Sequence, residues 1–190
     1  MKNKNKAQGF TLVELVVVIV TLAILAVVAF SQYVDFRRDG EIARVKTIAS
    51  ALQQSVQFAH TKWLILGSQN EPMNNLPDFA GGELDLNTWG YPIGIDKNNP
   101  MGAPKNIGKG EQGCVSLWET LLTEPPTVSK SNINNDSEFQ AYRHSGAVAS
   151  NGLHQCSFVL RTLGDTQGYQ DAEIVINYNS ITGTAVTRIN

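Results

Sequence analysis

A long apolar run near the amino end constrains this chain more than any other feature. Residues 10–30 read FTLVELVVVIVTLAILAVVAF, and only Thr11, Glu14 and Thr21 are polar. A helix rises about 1.5 Å per residue, so the run is about 30 Å long, which matches the hydrocarbon core of a bilayer. Valine and isoleucine favour strands in water, but an isolated strand in lipid leaves its amides unpaired. The run therefore predicts a membrane-spanning helix.

The distribution of charge orients this helix. Lys2, Lys4 and Lys6 precede the apolar run, and no acidic residue does. Basic residues favour the cytoplasmic side, so we expect residues 1–9 there and the rest of the chain across the membrane. The whole chain has a formal net charge of −2. It lacks the basic field that attracts nucleic acid, and we expect no nucleic acid partner.

A secretory signal peptide would also combine a basic start with an apolar run. Val27 and Ala29 would suit cleavage after Ala29, which would leave an exported monomeric binding domain. However, the run is longer than a usual signal core and continues into a helical pattern. Glu14 is the stronger objection, because an acid in a membrane costs roughly 2.5–3.5 kcal/mol and marks a functional residue with a partner.

Residues 6–15, KAQGFTLVEL, resemble the prepilin cleavage motif of type IV pilins and type II secretion pseudopilins. The motif combines a short basic leader, a glycine, an aromatic residue, three further residues and a glutamate. The resemblance implies that a prepilin peptidase cuts between Gly9 and Phe10 and that the new terminal Phe10 is N-methylated. It also implies that Glu14 of one subunit pairs with the amine of Phe10 in the next. The implied partners are the peptidase and methyltransferase, other pilin subunits, and the inner membrane before assembly.

Beyond the membrane segment, apolar residues recur at steps of three and four. This spacing predicts an amphipathic continuation of the helix over residues 31–66, ended by Gly67. Its apolar face consists of Ile42, Val45, Ala49, Leu52, Val56, Ala59 and Trp63. Many type IV pilins carry a kinking proline some twenty residues after the cleavage point, where this chain has Ser31. Gly40 is the candidate for a softer hinge.

Residues 67–190 are expected to form a globular head. Its first part, up to about Lys109, is rich in the glycine, proline and asparagine of turns. We expect a polar, exposed segment over Ser129–Ser137. Spacing and turn residues further predict a helix over Cys114–Leu122 and strands over Cys156–Leu160, Ala172–Tyr178 and Thr184–Ile189. The predicted class is α+β, with the long helix packed on an antiparallel sheet, as in the pilin fold.

The segment Asn87–Gly94, NTWGYPIG, is expected to be a loop held against the core by Trp89 and Tyr91. A surface loop that binds sugar or protein is the alternative. A similar segment occurs in pilins of the mannose-sensitive haemagglutinin type, whose leader and early helix this chain also resembles.

Cys114 and Cys156 are the two cysteines of the chain. Membrane targeting suggests an oxidising compartment, so we expect a disulfide that stabilises by roughly 4 kcal/mol in the loop-entropy description. Two unpaired core cysteines are the alternative.

No catalytic or metal-binding pattern emerges from the remaining residues. His60, His144 and His154 are scattered, without a CxxC or HExxH spacing, so we expect neither an enzyme nor a cofactor. The loop Asp165–Asp171 could wrap a calcium ion, but it lacks the EF-hand pattern and also suits a plain glycine turn. The sequence thus predicts a structural pilus subunit, major or minor, with a type II secretion pseudopilin as the close alternative.

Overall fold

The computed structural model describes residues 10–68, 70–133, 136–145 and 152–190. The predicted leader, residues 1–9 with Gly9, lies outside the described residues. The chain forms two compact units, one ending at Glu41 and the other comprising Ile42–Asn190. The boundaries of the four predicted segments stay predictions.

The long helix α1 spans Leu12–Ile65, a length of 54 residues. Within the second unit it buries the predicted apolar stripe. Ile42 is partly buried and packs at the margin of the core. The other six members are between 0% and 4% exposed: Val45, Ala49, Leu52, Val56, Ala59 and Trp63. The helical prediction is confirmed here, because the stripe has the period that keeps one face of a helix against a core.

The end of α1 also follows the prediction. Gly67 has a φ of 74°, a left-handed conformation that costs glycine little. Its N–H donates to Leu64 O at 3.0 Å, and the N–H of Ser68 reaches Trp63 O at 3.5 Å. These two bonds form a Schellman motif, which satisfies carbonyls that would otherwise lack partners at the helix end.

In the described part of the head there are a short helix and two sheets. The elements are β1 Asp85–Leu86, β2 Pro92–Gly94, α2 Glu111–Leu121, β3 Val128–Lys130, β4 Phe139–His144, β5 Gln155–Leu160, β6 Ile174–Asn179 and β7 Thr184–Ile189. A 3-10 turn occupies Ala80–Gly82. Strands β1 and β2 form a two-stranded ribbon, and the other five form the main sheet in the order β3-β4-β5-β6-β7.

The three predicted strands, β5, β6 and β7, pair antiparallel as expected, and β4 is antiparallel to β5, but β3 runs parallel to β4. The expectation of an exposed segment over Ser129–Ser137 is therefore wrong at its start, where Ser129 is only 6% exposed. The polar sequence gave no strand signal there. Pairing with β4 satisfies the β3 backbone, and α2 also packs on it.

Two other boundaries in the head differ from the predictions by more than one residue. Helix α2 begins three residues before Cys114, at Glu111, and β6 begins at Ile174 instead of Ala172. Strand β4 was not predicted, although Phe139 and Ala141 alternate with more exposed residues as a half-buried strand requires.

The core lies between the helices and one face of the main sheet. Trp118 of α2 is fully buried, with its ring centre 4.9 Å from that of Phe139 and 4.5 Å from that of Phe158. Beside this cluster, a disulfide joins Cys114 of α2 to Cys156 of β5 across a Cα–Cα distance of 5.6 Å. The predicted bridge is present and fastens α2 to the sheet.

Candidate assembly site

The candidate site begins where α1 begins. Thr11 precedes the first helical residue, and its N–H donates to Glu14 Oε2 at 2.9 Å. The Thr11 hydroxyl donates to the same oxygen at 2.8 Å and lies 3.3 Å from the Glu14 N–H, which donates to it. This reciprocal arrangement is a capping box, which satisfies two amides that the helix cannot pair internally.

The capping box leaves half of the Glu14 carboxylate available. Both bonds from Thr11 go to Oε2, and within the described residues no hydrogen bond to Oε1 is seen. Phe10 is the first described residue and its side chain is 88% exposed. Chemically, Glu14 can thus hold its own helix end and still accept a cation from another chain.

The helix that follows presents exposed apolar side chains. From Leu12 to Phe30 every large apolar side chain of the first unit is at least 42% exposed. The polar hydroxyl of Thr21 is hydrogen-bonded within the helix, because it donates to Val17 O at 3.0 Å and to Val18 O at 2.9 Å. Among the described residues, α1 is the one helix long and apolar enough to cross a membrane. The residues on both sides of Ala29 are helical, with no turn at the alternative signal-peptide site.

Comparison with known proteins places this segment in context. The family described as "Prokaryotic N-terminal methylation motif" matches residues 4–30. Two proteins named "Fimbrial protein" from Pseudomonas aeruginosa are 40% and 26% identical to the chain over 144 residues, covering 67% of this chain and 94% of each relative. The chain belongs to the type IV pilin family. No solved structure matches it.

Membership of this family gives the amino-terminal features a common explanation. The methylation motif of a pilin implies processing by a prepilin peptidase and assembly into pilin polymers. The apolar helix and the motif together indicate a membrane-anchored precursor that later enters a pilus. Type IV pilins are structural proteins, and the matches do not include an enzyme family.

The three histidines of this pilin lie on α1 (His60), at the end of β4 (His144) and directly before β5 (His154). The ring of His60 stacks on Tyr91 with centres 4.5 Å apart. His144 Nε2 is 2.7 Å from Ser157 Oγ, and His154 Nδ1 is 2.7 Å from Lys105 O. In the described ranges, no three histidine, cysteine or acidic side chains come together as a possible metal site.

In the candidate calcium loop, backbone amides donate to the carboxylate of Asp165. Asp165 Oδ1 accepts the N–H of Gln167 at 2.8 Å, and Oδ2 accepts the N–H of Glu173 at 2.7 Å. Arg161 Nη1 lies 3.8 Å from the same carboxylate. Because these donors occupy both oxygens, Asp165 acts here as the anchor of a turn.

The loop Asn87–Gly94 of the pilin head matches its prediction in part. Tyr91 packs against the core, as expected. Trp89 is not a core residue, which corrects the expectation. It is half-buried, and the Lys105 ammonium lies 5.4 Å from its ring centre. The buried residue that fixes this loop is Asn87, whose Oδ1 accepts the N–H groups of Trp89 and Tyr91 at 2.9 Å each.

Sequence reasoning missed a buried carboxylate in the same region. Asp85 is 0% exposed and accepts the N–H of Lys97 at 2.8 Å and that of Asn75 at 3.0 Å. Burial raises the pKa of Asp85 above its ordinary value, although these hydrogen bonds act in the opposite direction. A single aspartate in a turn-rich stretch gives no sequence signal for such a role. The capping role of Thr11 did have a sequence signal, since T-x-x-E ahead of an apolar run is the capping-box pattern.

Proposed function

We propose that this chain is a pilus subunit that is cut between Gly9 and Phe10, N-methylated at Phe10, and polymerised through residues 10–30. The observation that carries the proposal is the uncovered apolar surface of α1, which coincides with the matched methylation motif. The relatives named as fimbrial proteins support it, and they cover two thirds of the chain. Apolar area excluded from water or lipid by neighbouring helices supplies the adhesion.

Glu14 sets the register between subunits in this proposal. Cleavage creates a cation at Phe10, and the Oε1 atom of Glu14 in a neighbouring subunit accepts it. A filament core excludes water, so the attraction is stronger there than on a surface. A subunit out of register leaves a charge buried without its partner, which costs several kcal/mol.

In this proposal the precursor is inserted in the inner membrane, with residues 1–9 as its leader and residues 10–30 as its membrane-spanning helix. Residues 31–66 continue the helix, and residues 67–190 form the head in the periplasm before export into an extracellular pilus. The disulfide of the head supports an oxidising compartment.

A pilin is favoured over a pseudopilin by the two relatives named as fimbrial proteins. The mannose-sensitive haemagglutinin type is our proposal for the subgroup, on the strength of the segment Asn87–Gly94. A contribution to adhesion, and a place as a major or minor subunit, belong to this finer proposal.

Mass spectrometry of the mature protein tests the processing step. We expect the purified filament subunit to begin at Phe10 with one added methyl group. Subunits that begin at Phe30 would show that an ordinary signal peptidase acts on the chain, and the pilus proposal would fail.

A pair of variants separates the charge of Glu14 from its capping role. Glu14→Gln keeps an acceptor for the Thr11 amide but removes the charge, whereas Thr11→Ala weakens the cap and keeps the charge. We expect Glu14→Gln to reduce filament yield at least about tenfold, since a charged pair worth 1.4 kcal/mol or more is lost. Thr11→Ala should assemble nearly as well as the wild type. Electron microscopy and quantification of sheared filaments measure the yield, and normal assembly by Glu14→Gln would contradict the proposed pairing.

A further inference from the structure

Strand β7 is an edge of the main sheet, and its outer row of backbone groups can be identified. The N–H of Asn190 donates to Glu173 O at 2.9 Å, in register with the β6–β7 ladder. In an antiparallel pair, the direction of the backbone groups alternates along the strand. The backbone N–H and C=O groups of the even-numbered residues of β7 therefore point toward β6. Ala185, Thr187 and Ile189 direct their N–H and C=O groups away from the sheet.

The first position on this outer row is already filled by a side chain. Gln53 of α1 donates from Nε2 to Gly183 O at 2.9 Å, and its Oε1 accepts the N–H of Ala185 at 2.6 Å. The side-chain amide thus makes the two bonds that one residue of a neighbouring strand would make. Beyond Gln53, no strand pairs with the Thr187 amide in the described part of the chain.

The unfilled positions open into a groove of about 550 Å³ between α1 and β7. Its α1 side includes Lys46, Ser50 and Gln54, and its β7 side comprises Ala185, Val186 and Thr187. An open edge beside a groove is the arrangement that extended segments use when they add a strand to a sheet. An exposed edge is also a surface that proteins usually cover or protect with charge.

The charge around the groove indicates what kind of segment fits. Between Glu41 and Glu71 the chain has no acidic residue, and β7 has none either. Lys46 makes no ion pair within the described ranges. All 17 aspartates and glutamates lie in the rest of the chain, where they outnumber the lysines and arginines, so the rest of the chain is acidic. Another copy of this chain therefore carries the complementary charge.

We propose that the outer edge of β7, at Thr187, pairs with an extended, carboxylate-bearing segment of a second copy of this chain in the filament. The inference rests on the proposed pilus function, which brings the heads of many copies together. The incoming backbone continues the ladder that Gln53 begins, and a carboxylate of the incoming segment meets Lys46.

Hydrogen–deuterium exchange of intact filaments tests this pairing. The Thr187 amide should exchange quickly in subunits dissociated in detergent and at least about tenfold more slowly in filaments. The amide of Val186 provides an internal reference, because it faces β6 in both states. Fragmentation that resolves single amides gives the measurement.

Two matched variants test whether the groove is the site. Ser50 and Thr47 are both exposed, and each donates its hydroxyl to the carbonyl four residues earlier. Only Ser50 lines the groove. Ser50→Trp should fill the groove and remove the protection of the Thr187 amide, while Thr47→Trp should retain it. Equal urea midpoints of the detergent-solubilised subunits confirm that both variants fold.

The outcomes distinguish this inference from the pilus proposal. If the wild-type protein forms no filaments, the pilus proposal itself fails. If filaments form and Thr187 exchanges as quickly in them as in isolated subunits, the β7 pairing is wrong. Filaments of Ser50→Trp with wild-type protection at Thr187 would also overturn it.

Discussion

At the residue scale, Glu14 caps the helix on which it stands, and among the described residues one of its carboxylate oxygens receives no hydrogen bond. The position of an acid inside an apolar run already marked this residue as functional. The bonds from Thr11 add that removal of the whole carboxylate disturbs the helix start as well as any contact between chains. For this reason Glu14→Gln is a more informative substitution than Glu14→Ala.

His144 is a second residue whose surroundings have a measurable consequence. It hydrogen-bonds Ser157, stacks on Tyr169 with ring centres 4.1 Å apart, and is half-buried in the sheet. Burial lowers its pKa, and the positive charge of Arg188 lowers it further. The folded head therefore holds this histidine neutral where the unfolded chain, with an ordinary pKa of about 6.5, binds a proton.

This difference predicts how stability depends on pH. The contribution of neutral His144 is fully present above about pH 6.5 and falls as the pH decreases from there toward the lowered folded-state pKa. Urea unfolding midpoints of the detergent-solubilised protein, measured from pH 8 to 5, should decrease over the acidic half of the range. His144→Gln should flatten this decrease, and parallel curves for the two proteins would contradict the prediction.

At the element scale, the two helical glycines occupy opposite environments. A Cβ on Gly113 of α2 would lie 1.9 Å from the backbone oxygen of Gly108, whereas a Cβ on Gly40 of α1 would meet nothing within 4 Å. Alanine is the better helix former by about 1 kcal/mol at either position. At Gly113 the clash with backbone atoms outweighs that gain, because a backbone cannot move aside as a side chain can.

Alanine substitution at the two positions should therefore have opposite effects. Gly113→Ala should destabilise the head by about 1–3 kcal/mol, as other overpacked cores are destabilised. Gly40→Ala should leave the melting temperature unchanged or raise it. Thermal unfolding followed by circular dichroism gives both values, and a Gly113→Ala protein as stable as the wild type would show that the backbone around Gly108 can move to accept a Cβ.

At the scale of the whole head, the disulfide links α2 to β5 across a sequence separation of 42 residues. The intervening chain includes β3 and β4. Constraining such a loop in the unfolded chain typically stabilises a protein by about 2–4 kcal/mol. The bridge is also fully buried, so reduction requires the head to open first.

Replacing both cysteines tests this contribution. Cys114→Ala combined with Cys156→Ala should lower the free energy of unfolding by about 2–5 kcal/mol, with the loss of the closed loop as the main cause. Unfolding of the wild type with reductant should approach that of the double variant, and reductant should not affect the double variant. If complete reduction left the free energy of unfolding of the wild-type protein unchanged, the expectation would be contradicted.

The patterns with a strong period were predictable from the sequence. The stripe from Val45 to Trp63 follows the period of a helix, and the end of α1 follows from the conformational freedom of Gly67. The hairpin of β6 and β7 was visible because its strands alternate or are rich in β-branched residues around a turn. These features are local, so the sequence contains what is needed to infer them.

The short strand β3 and the buried roles of Ser129 and Asp85 were not predictable in this way. Each depends on residues far away in the chain: β3 on β4, Ser129 on the packing of α2, and Asp85 on the Lys97 amide. A polar residue is expected to be exposed, and neither the distant packing that buries Ser129 nor the distant amide that pairs with Asp85 can be inferred from the local sequence.

The sequence by itself determined the long apolar run, the methylation motif, the acid inside that run and the apolar face of the long helix. Those features depend on composition and on spacing along a single element. The tertiary structure decided that β3 is parallel, that Cys114 meets Cys156, and that Gln53 fills the first position on the open edge of β7. Each of these joins groups that are distant in the chain, and only the packing of the whole head brings such groups within bonding distance.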